Sequence, residues 1–217
     1  MKGAADVLGV IDADQRYDYI AKVLAHQKQL SRYWNVTWTA LATVGTAGYL
    51  ALPAVIKENG TDKRADLRVG FYVSALKAGL AAVSWAVLPL RIPELPSALA
   101  GESTCKRLAR AEALLHRAAV KERRKRLFDR LTSVVANVAS GLYLWLERDD
   151  LLGAAISTGS GIVIIEVKAR TMPVGATEAL RAYKRGQIPD RAPTKTTWRI
   201  SAMALPGGGG LSIGADF

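Results

Sequence analysis

Four stretches of the chain are almost free of charge, and strongly charged segments separate them. Residues 34–56 hold 23 residues without a charge, and residues 69–90 hold 22 with Lys77 as the single exception. The other two stretches are shorter, with 16 residues at 131–146 and 15 at 151–165. A helix needs ~20 apolar residues to cross the ~30 Å hydrocarbon core of a bilayer. The first two stretches therefore predict membrane-spanning helices.

The two short stretches are joined only by Glu147-Arg148-Asp149-Asp150. They fit tilted short spans with snorkelling ends, a hairpin that dips part-way into the membrane, or two buried helices of a soluble domain. The whole pattern predicts an all-α polytopic membrane protein with about four transmembrane helices, two long and two short as a hairpin.

Aromatic residues stand at the ends of these stretches. Tyr33, Trp34 and Trp38 begin the first one, and Tyr143 and Trp145 end the third, as is typical of side chains at a membrane–water interface. Small residues are dense in the first, second and fourth stretches, and they allow close helix contact in lipid. The alternative is a soluble Ala- and Gly-rich bundle, but the first two stretches lack the polar stripes that its surface helices need.

The charged segments complete the organisation of the chain. We predict an N-terminal amphipathic helix at 1–33, a first transmembrane pair at 34–90, a basic cytoplasmic helix at 91–130, a second, short transmembrane pair at 131–167, and a C-terminal helix and tail at 168–217. The tail is expected to be irregular. Two alternating stretches around its Gly-rich segment favour a possible β-hairpin there.

The long helix predicted from Ser103 or Thr104 to about Arg130 has one apolar and one basic face. We expect the basic face to contact anionic lipid or a partner protein. No nucleic-acid module is visible, and Phe128 is the only aromatic residue near, so no nucleic acid is expected. The candidate contact residues are Lys106, Arg107, Arg110, Arg117, Lys121, Arg123, Arg124, Lys125 and Arg126.

The positive charges predict an orientation. With four spans, 24 Lys and Arg residues lie on the side of both termini and five on the other side. Positive residues stay cytoplasmic during insertion, so both termini are expected in the cytoplasm of a bacterium with the spans in its inner membrane. The outer membrane or cell envelope is the alternative. No cleavable secretion signal is visible at the start of the chain.

Candidate chemistry is sparse. One cysteine, Cys105, excludes an intramolecular disulfide framework, and two histidines, His26 and His116, exclude most histidine-based metal sites. The segment from Gly101 to Lys106 lacks the residue order of a P-loop. We therefore predict no catalytic residue, no enzyme activity, no cofactor, no metal and no small-molecule substrate.

Three polar residues within the apolar stretches are the candidate intramembrane sites: Lys77, Asn137 and Glu166. A charge at the depth of Lys77, ~12 Å from the start of its stretch, is costly and usually faces protein or water. In four-span topology Lys77 and Glu166 lie ~20 Å apart in depth, which argues against a pair. Asn137 and Glu166 are closer in depth, and we predict that they approach each other across the short hairpin.

Two stretches and the C-terminus carry a resemblance. Residues 137–145 (NVASGLYLW), Gly161 to Glu166 with Thr171-Met-Pro173, and the PGGGGL…F ending resemble an uncharacterised family of proteobacterial small polytopic helical membrane proteins. The similarity covers roughly the C-terminal two-thirds of the chain. It implies a membrane location and a helical fold, and no known activity.

The sequence thus favours an integral membrane structural or accessory subunit that binds membrane lipid and a partner protein or a second copy of itself. Two alternatives stay open. One is a channel or transporter component with a polar path past the candidate intramembrane residues. The other is a soluble helical binding module or enzyme, which would be recovered without detergent.

Overall fold

The structure, a computed structural model, describes residues 11–55, 62–96, 103–188, 197–205 and 208–216. Asn59 and Gly60, between the first two apolar stretches, lie outside these residues. In the described part the chain forms five α-helices followed by two strands, in the order α1 Ala13–Val55, α2 Asp62–Val87, α3 Thr104–Arg148, α4 Leu151–Thr171, α5 Gly175–Lys184, β1 Thr197–Leu205 and β2 Gly208–Asp216.

The two longest helices run through the boundaries drawn from the sequence. Helix α1 joins the amphipathic segment to the first apolar stretch without a break, and Pro53 lies in its last turn, two residues before the helix ends. Helix α3 begins at Thr104, as predicted, but continues past Arg130 to Arg148. The predicted parts 1–33 and 91–130 are therefore continuous with the apolar helices that follow them from Ala13 and from Thr104 onward.

The helices pack as two antiparallel hairpins. In the first, Asn35 of α1 contacts Leu90 just beyond α2, while Thr46 lies against Gly79. In the second, α3 turns into α4 at Asp149, which has the left-handed φ of 51°, and the Asp150 carboxylate accepts a 2.8 Å hydrogen bond from the Gly153 amide. The two-residue turn reverses the chain, and α4 runs back along α3, with Thr158 against Gly141 and Gly161 against Asn137.

One end of the molecule has a closely packed interior, and we call it the head: residues 13–33 of α1, 104–128 of α3, and α5. Apolar residues at helical spacing on α1 and α3 meet there, and α5 lies across them. The buried apolar residues of the head are Tyr19, Ile20, Val23, Leu24, Leu108, Ala111, Leu115, Ala118, Ala119, Ala176, Ala179 and Tyr183.

The other end, which we call the apolar end, comprises residues 36–55, 68–84, 131–148 and 151–165. Its helices expose large apolar side chains to the outside instead of burying them. Representative exposed residues are Val44, Leu50, Leu76, Leu80, Val83, Leu131, Val135, Leu142, Leu146, Leu152, Ile156 and Val163. An apolar surface of this extent is typical of a membrane or protein interaction surface.

Two helices in the described part of the chain are long and apolar enough to cross a membrane, Arg68–Val87 and Leu151–Thr171. They belong to different hairpins. The apolar half of α1 is diluted by threonine and tryptophan, and the apolar half of α3 spans only 16 uncharged residues. The composition of the helices therefore supports an all-helical fold with membrane association. Two helices of the described part are apolar enough to be spans, and the other two predicted spans do not reach that level.

After α5 the backbone forms a hairpin. Strands β1 and β2 are antiparallel, with Thr197 opposite Asp216, Ile200 opposite Ile213 and Leu205 opposite Gly208. These are the two alternating stretches on either side of the Gly-rich segment. The hairpin follows the five helices as an appendage to a helical fold.

Candidate functional site

Lys77 lies between the two hairpins. Its ammonium group, on α2, donates hydrogen bonds of 2.7 Å to Ser157 Oγ, 3.3 Å to Asn137 Oδ1 and 3.4 Å to the Ser157 carbonyl oxygen. The side chain is half-buried. Three oxygen acceptors fill the hydrogen-bonding capacity of an ammonium group, so Lys77 links α2 to both α3 and α4.

Glycine makes room for Asn137 at this contact. Its side-chain amide donates a 2.8 Å hydrogen bond to the Ser133 carbonyl oxygen, and a Cβ at Gly161 would overlap with that amide. Gly141 likewise lies so close to Thr158 that a Cβ would overlap with the threonine hydroxyl. Small residues thus allow α3 and α4 to approach closely, as the sequence predicts for the fourth stretch.

Glu166 binds elsewhere. Its carboxylate lies 3.0 Å from Arg130 Nη2 and 3.8 Å from Arg170 Nε, and its side chain is 43% exposed. Among the described residues no hydrogen bond joins Asn137 to Glu166. The depths estimated from the sequence did not reveal that Lys77 and Asn137 lie at the same level. Lys77 is eight residues from the buried Trp85 on α2, and Asn137 is eight residues from the buried Asp129 on α3.

Sequence reasoning also missed the most enclosed ion pair. Lys168 is 2% exposed, and its ammonium group lies 2.6 Å from Asp129 Oδ2. The other oxygen of Asp129 accepts a 2.7 Å hydrogen bond from Lys125. The Lys168 ammonium also lies 3.8 Å from the ring centroid of Trp85 and 5.0 Å from that of Trp34. The cation therefore has one carboxylate and two aromatic faces as neighbours.

We call the level of Trp34, Trp85, Asp129 and Lys168 the junction, because the head ends and the apolar end begins there. The sequence does contain a signal for the burial of Lys168 at this level. Ile165, Lys168, Ala169 and Met172 are all buried and follow one another at helical spacing, which places Lys168 on the inward face of α4.

The tryptophans predicted at a membrane interface divide between two environments. Trp34 and Trp38 are buried, and the indole N–H groups of both donate to Thr171 Oγ1, at 3.4 Å and 3.3 Å. Trp38 also makes an edge-to-face contact with Trp85, with ring centroids 6.1 Å apart. The interfacial prediction for Trp34 and Trp38 is therefore corrected, since they pack inside the junction. Trp145 is exposed at the far turn.

A buried carboxylate on α3 holds the start of α5. Glu122 accepts hydrogen bonds of 3.1 Å and 2.8 Å from the backbone amides of Ala176 and Thr177, and one of 2.8 Å from the Thr177 hydroxyl. Burial raises the pKa of Glu122, and the hydrogen bonds from Thr177 and Ala176 oppose that rise. Since Val174 provides no side-chain cap, Glu122 takes that role from a different helix.

A second polar cluster ties three helices together in the head. Arg16 donates a 2.7 Å hydrogen bond to the Tyr183 hydroxyl and a 2.5 Å hydrogen bond to Glu112, and Tyr183 donates to the same Glu112 oxygen. Burial and the hydrogen bond to Glu112 raise the pKa of Tyr183 to about 12, against the opposing effect of Arg16. The cluster fixes α1, α3 and α5 relative to one another.

Three of the nine basic residues predicted to contact lipid or a partner make contacts that join parts of the protein. Arg107 lies 2.8 Å from Asp14 and stacks over Tyr17, Lys125 binds Asp129, and Arg126 donates to the Met172 carbonyl oxygen. The remaining six are exposed, namely Lys106, Arg110, Arg117, Lys121, Arg123 and Arg124.

Five of these exposed cations form what we call the basic stripe. At 3.6 residues per turn they fall within an arc of about 60° along one side of α3. Phe128, Leu131 and Val135 continue the same side with exposed apolar side chains. The stripe consists of Lys106, Arg110, Arg117, Lys121 and Arg124.

No group of three or more His, Cys, Asp or Glu residues in the described ranges is placed to hold a metal ion. Buried polar side chains such as Glu122 and Asp129 bind other side chains or cap a helix, which fixes the helices in place. A stripe of exposed cations lies on α3. Comparison with protein-family models, with curated proteins and with solved structures finds no match for this chain.

Proposed function

We propose that the protein is an integral membrane accessory or structural subunit whose four apolar helix segments cross the bilayer and whose head stands in the cytoplasm. One observation carries the proposal. Only 6% of the apolar window in Arg68–Val87 and 17% of that in Leu151–Thr171 are buried within the protein. The core helix of a soluble domain would be mostly buried, so exposure on this scale favours hydrocarbon as the surroundings.

The lengths of the helices support four spans. Measured from the junction to the far end, Trp34–Val55, Arg68–Trp85, Asp129–Arg148 and Leu151–Lys168 extend ~26–32 Å at 1.5 Å per residue, close to the ~30 Å core of a bilayer. The two short stretches reach this length because their charged ends at the junction are buried in ion pairs.

The orientation follows from the positive charges. The head and junction hold most of the Lys and Arg residues, and the far turns hold few. The positive-inside rule therefore favours a cytoplasmic head in a bacterial inner membrane.

The basic stripe supports the accessory role. Helix α3 is continuous from its charged half into its apolar half, so it carries Lys106 ~33 Å beyond Phe128. This is several times the ~10 Å over which surface charges act at physiological salt. Only the residues nearest the junction, such as Arg124, stand close enough to attract anionic lipid. The remainder of the stripe is suited to an acidic surface of a partner protein.

A channel or transporter component is the second candidate, and the contact of Lys77 with Asn137 and Ser157 is the observation that favours it. Intramembrane ionisable residues often mark transport paths. The ammonium group is packed against three oxygens, however, which favours a role in joining the hairpins.

Topology labelling tests the membrane proposal. Cys105 is exposed in the head and is the only cysteine of the chain. A membrane-impermeant maleimide should label it in inverted vesicles and not in intact spheroplasts. The variant Cys105→Ser with Glu147→Cys at the far turn should show the reverse. Extraction of the protein by alkaline carbonate, or protection of both positions in spheroplasts, would contradict four spans.

The partner proposal is tested by charge removal. Substituting Arg117, Lys121 and Arg124 with glutamine should release a co-purifying protein at native expression while leaving the subunit in the membrane. A matched control removes three exposed cations of the head elsewhere, Arg181, Lys184 and Arg185. Equal retention of the partner in both variants would overturn the assignment to the basic stripe.

A further inference from the structure

A groove of about 840 Å³ opens on the outer side of the first hairpin. Its walls are the exposed side of α1 from Lys28 to Val44 and the segment from Trp85 to Glu94 that follows and ends α2. Asn35 fixes the width of the groove, because its side chain donates a 2.9 Å hydrogen bond to the Leu90 carbonyl oxygen and accepts a 3.1 Å bond from the Leu90 amide.

The groove is polar and positive at one end. Lys28, Arg32 and Arg91 line that end together with a single acid, Glu94, which pairs with Lys28. Arg32 and Arg91 are exposed and make no ion pair with any residue that the structure describes. The guanidinium groups of Arg32 and Arg91 thus have no carboxylate partner among the described residues. A guanidinium group can bind phosphate with two parallel hydrogen bonds.

The groove is apolar at its other end. Val36, Ala40 and Val44 line it on α1, and Trp85 and Ala86 line it on the side of α2. The step from Val36 to Val44 extends ~12 Å along the helix, within the ~15 Å of one leaflet of a bilayer core. The positive end lies beside the junction, where headgroups stand if the apolar end crosses the membrane.

We propose that this groove binds one anionic phospholipid, with its phosphate between Arg32 and Arg91 and an acyl chain along Val36, Ala40 and Val44. The inference rests on the proposed membrane location. Charge complementarity selects the occupant, since a zwitterionic headgroup brings a cation of its own to a site with two unneutralised guanidinium groups. The basic stripe does not take part, because it lies on α3.

Lipid titration of the purified full-length protein in detergent, followed by native mass spectrometry, tests the groove. The wild type should bind phosphatidylglycerol about tenfold more tightly than phosphatidylcholine, and the double variant Arg32→Gln with Arg91→Gln should lose that preference. The matched control, Arg181→Gln with Arg185→Gln, removes two exposed cations at the end of α5 and should keep it. Equal loss in both double variants, or no preference in the wild type, would overturn the proposal.

Filling the groove tests the acyl-chain half separately. Ala40→Phe places an aromatic ring between its walls at an exposed position and should weaken phosphatidylglycerol binding, whereas Ala51→Phe, three turns further along α1 and also exposed, should not. Millimolar inorganic phosphate should fail to displace the lipid, and displacement would mean that the site holds phosphate alone.

Carbonate extraction of membranes that contain the wild-type protein is carried out before the lipid titration. A protein that resists extraction but shows no lipid preference refutes the groove alone. A protein that carbonate removes refutes the membrane location on which the groove depends.

Discussion

The head and the apolar end use the same helices in opposite ways. In the head, α1 and α3 bury apolar residues such as Ile20 and Leu115 completely and turn most of their charged residues outward. In the apolar end the same two helices expose Val44 and Val135 at 71% and 67%. One end is therefore organised for water outside and a dry interior, and the other has its large apolar side chains outside.

Polar contacts have different roles at the two ends of the molecule. At the head and junction, carboxylates such as Glu122 and Asp129 are buried and fully hydrogen-bonded, because an unpaired charge in a dry interior is costly. In the apolar end, small residues and hydrogen bonds such as those of Lys77 join the helices, which is the arrangement expected where lipid offers little apolar driving force for association. Four predictions test this division.

The largest effect is expected at the junction. Lys168→Met leaves the buried Asp129 short of its closest partner and should lower the free energy of unfolding by about 3–5 kcal/mol. Lys168→Met combined with Asp129→Asn should recover most of that loss, because both charges are then gone. Denaturant unfolding in detergent, followed by tryptophan fluorescence, measures both. Glu166→Gln, which breaks a half-exposed ion pair, is the control and should cost less than about 1 kcal/mol.

A smaller effect, confined to the head, is expected for Glu122→Ala. The change leaves the buried amides of Ala176 and Thr177 without acceptors, at a cost of about 2–3 kcal/mol. Hydrogen exchange should show faster exchange throughout α5, with α2 and α4 unchanged. Glu178→Ala, at an exposed position in the first turn of α5, is the matched control. Faster exchange in α2 as well would mean that the two ends are not energetically separate.

In the apolar end, Asn137→Leu should destabilise the contact between the hairpins. It removes one acceptor from the Lys77 ammonium, and interhelical hydrogen bonds in membranes contribute about 0.6–1.7 kcal/mol. Lys77→Leu with Asn137→Leu should cost less than Asn137→Leu alone, since no charge then remains. A double-mutant cycle in lipid nanodiscs measures the coupling. A coupling energy of zero would remove Lys77 from the set of residues that join the hairpins.

The smallest effect concerns alkaline pH. The pKa of Tyr183 is raised to about 12, so the folded protein retains this proton when the unfolded chain loses it near 10. The contribution of Tyr183 to stability is therefore complete below pH 10 and is lost as the pH rises toward 12. Absorbance titration at 295 nm should show a late-titrating tyrosine that disappears in Tyr183→Phe. Titration of all tyrosines near pH 10 would contradict the cluster with Arg16 and Glu112.

Much of the helical organisation was readable from the sequence. A helix does occupy the N-terminal segment from Ala13, and a short helix lies within 168–217, followed by Gly186 with a φ of 71°. Local signals act within a few residues, so caps, glycines and apolar spacing locate such elements. The length of α3 was underestimated because a change of composition at Arg130 was interpreted as a boundary.

The candidate site was readable only in part. Lys77 and Asn137 stood out as polar residues in apolar stretches, but they lie 60 positions apart and no local pattern reports that they meet. Lys168 was assigned to the C-terminal helix and tail at 168–217. Its burial depends on Asp129 and two tryptophans that three other helices bring to one level.

The sequence alone determined where the helices lie, how apolar and charged segments alternate, and which sparse polar residues interrupt them, because these depend on neighbours along the chain. The tertiary structure decided which charges are enclosed, which tryptophans are buried, and that one side of α1 forms a groove whose end carries two arginines without an ion pair to any described residue. Those outcomes depend on the electrostatic and packing energies of groups that meet only when the two hairpins and α5 are assembled.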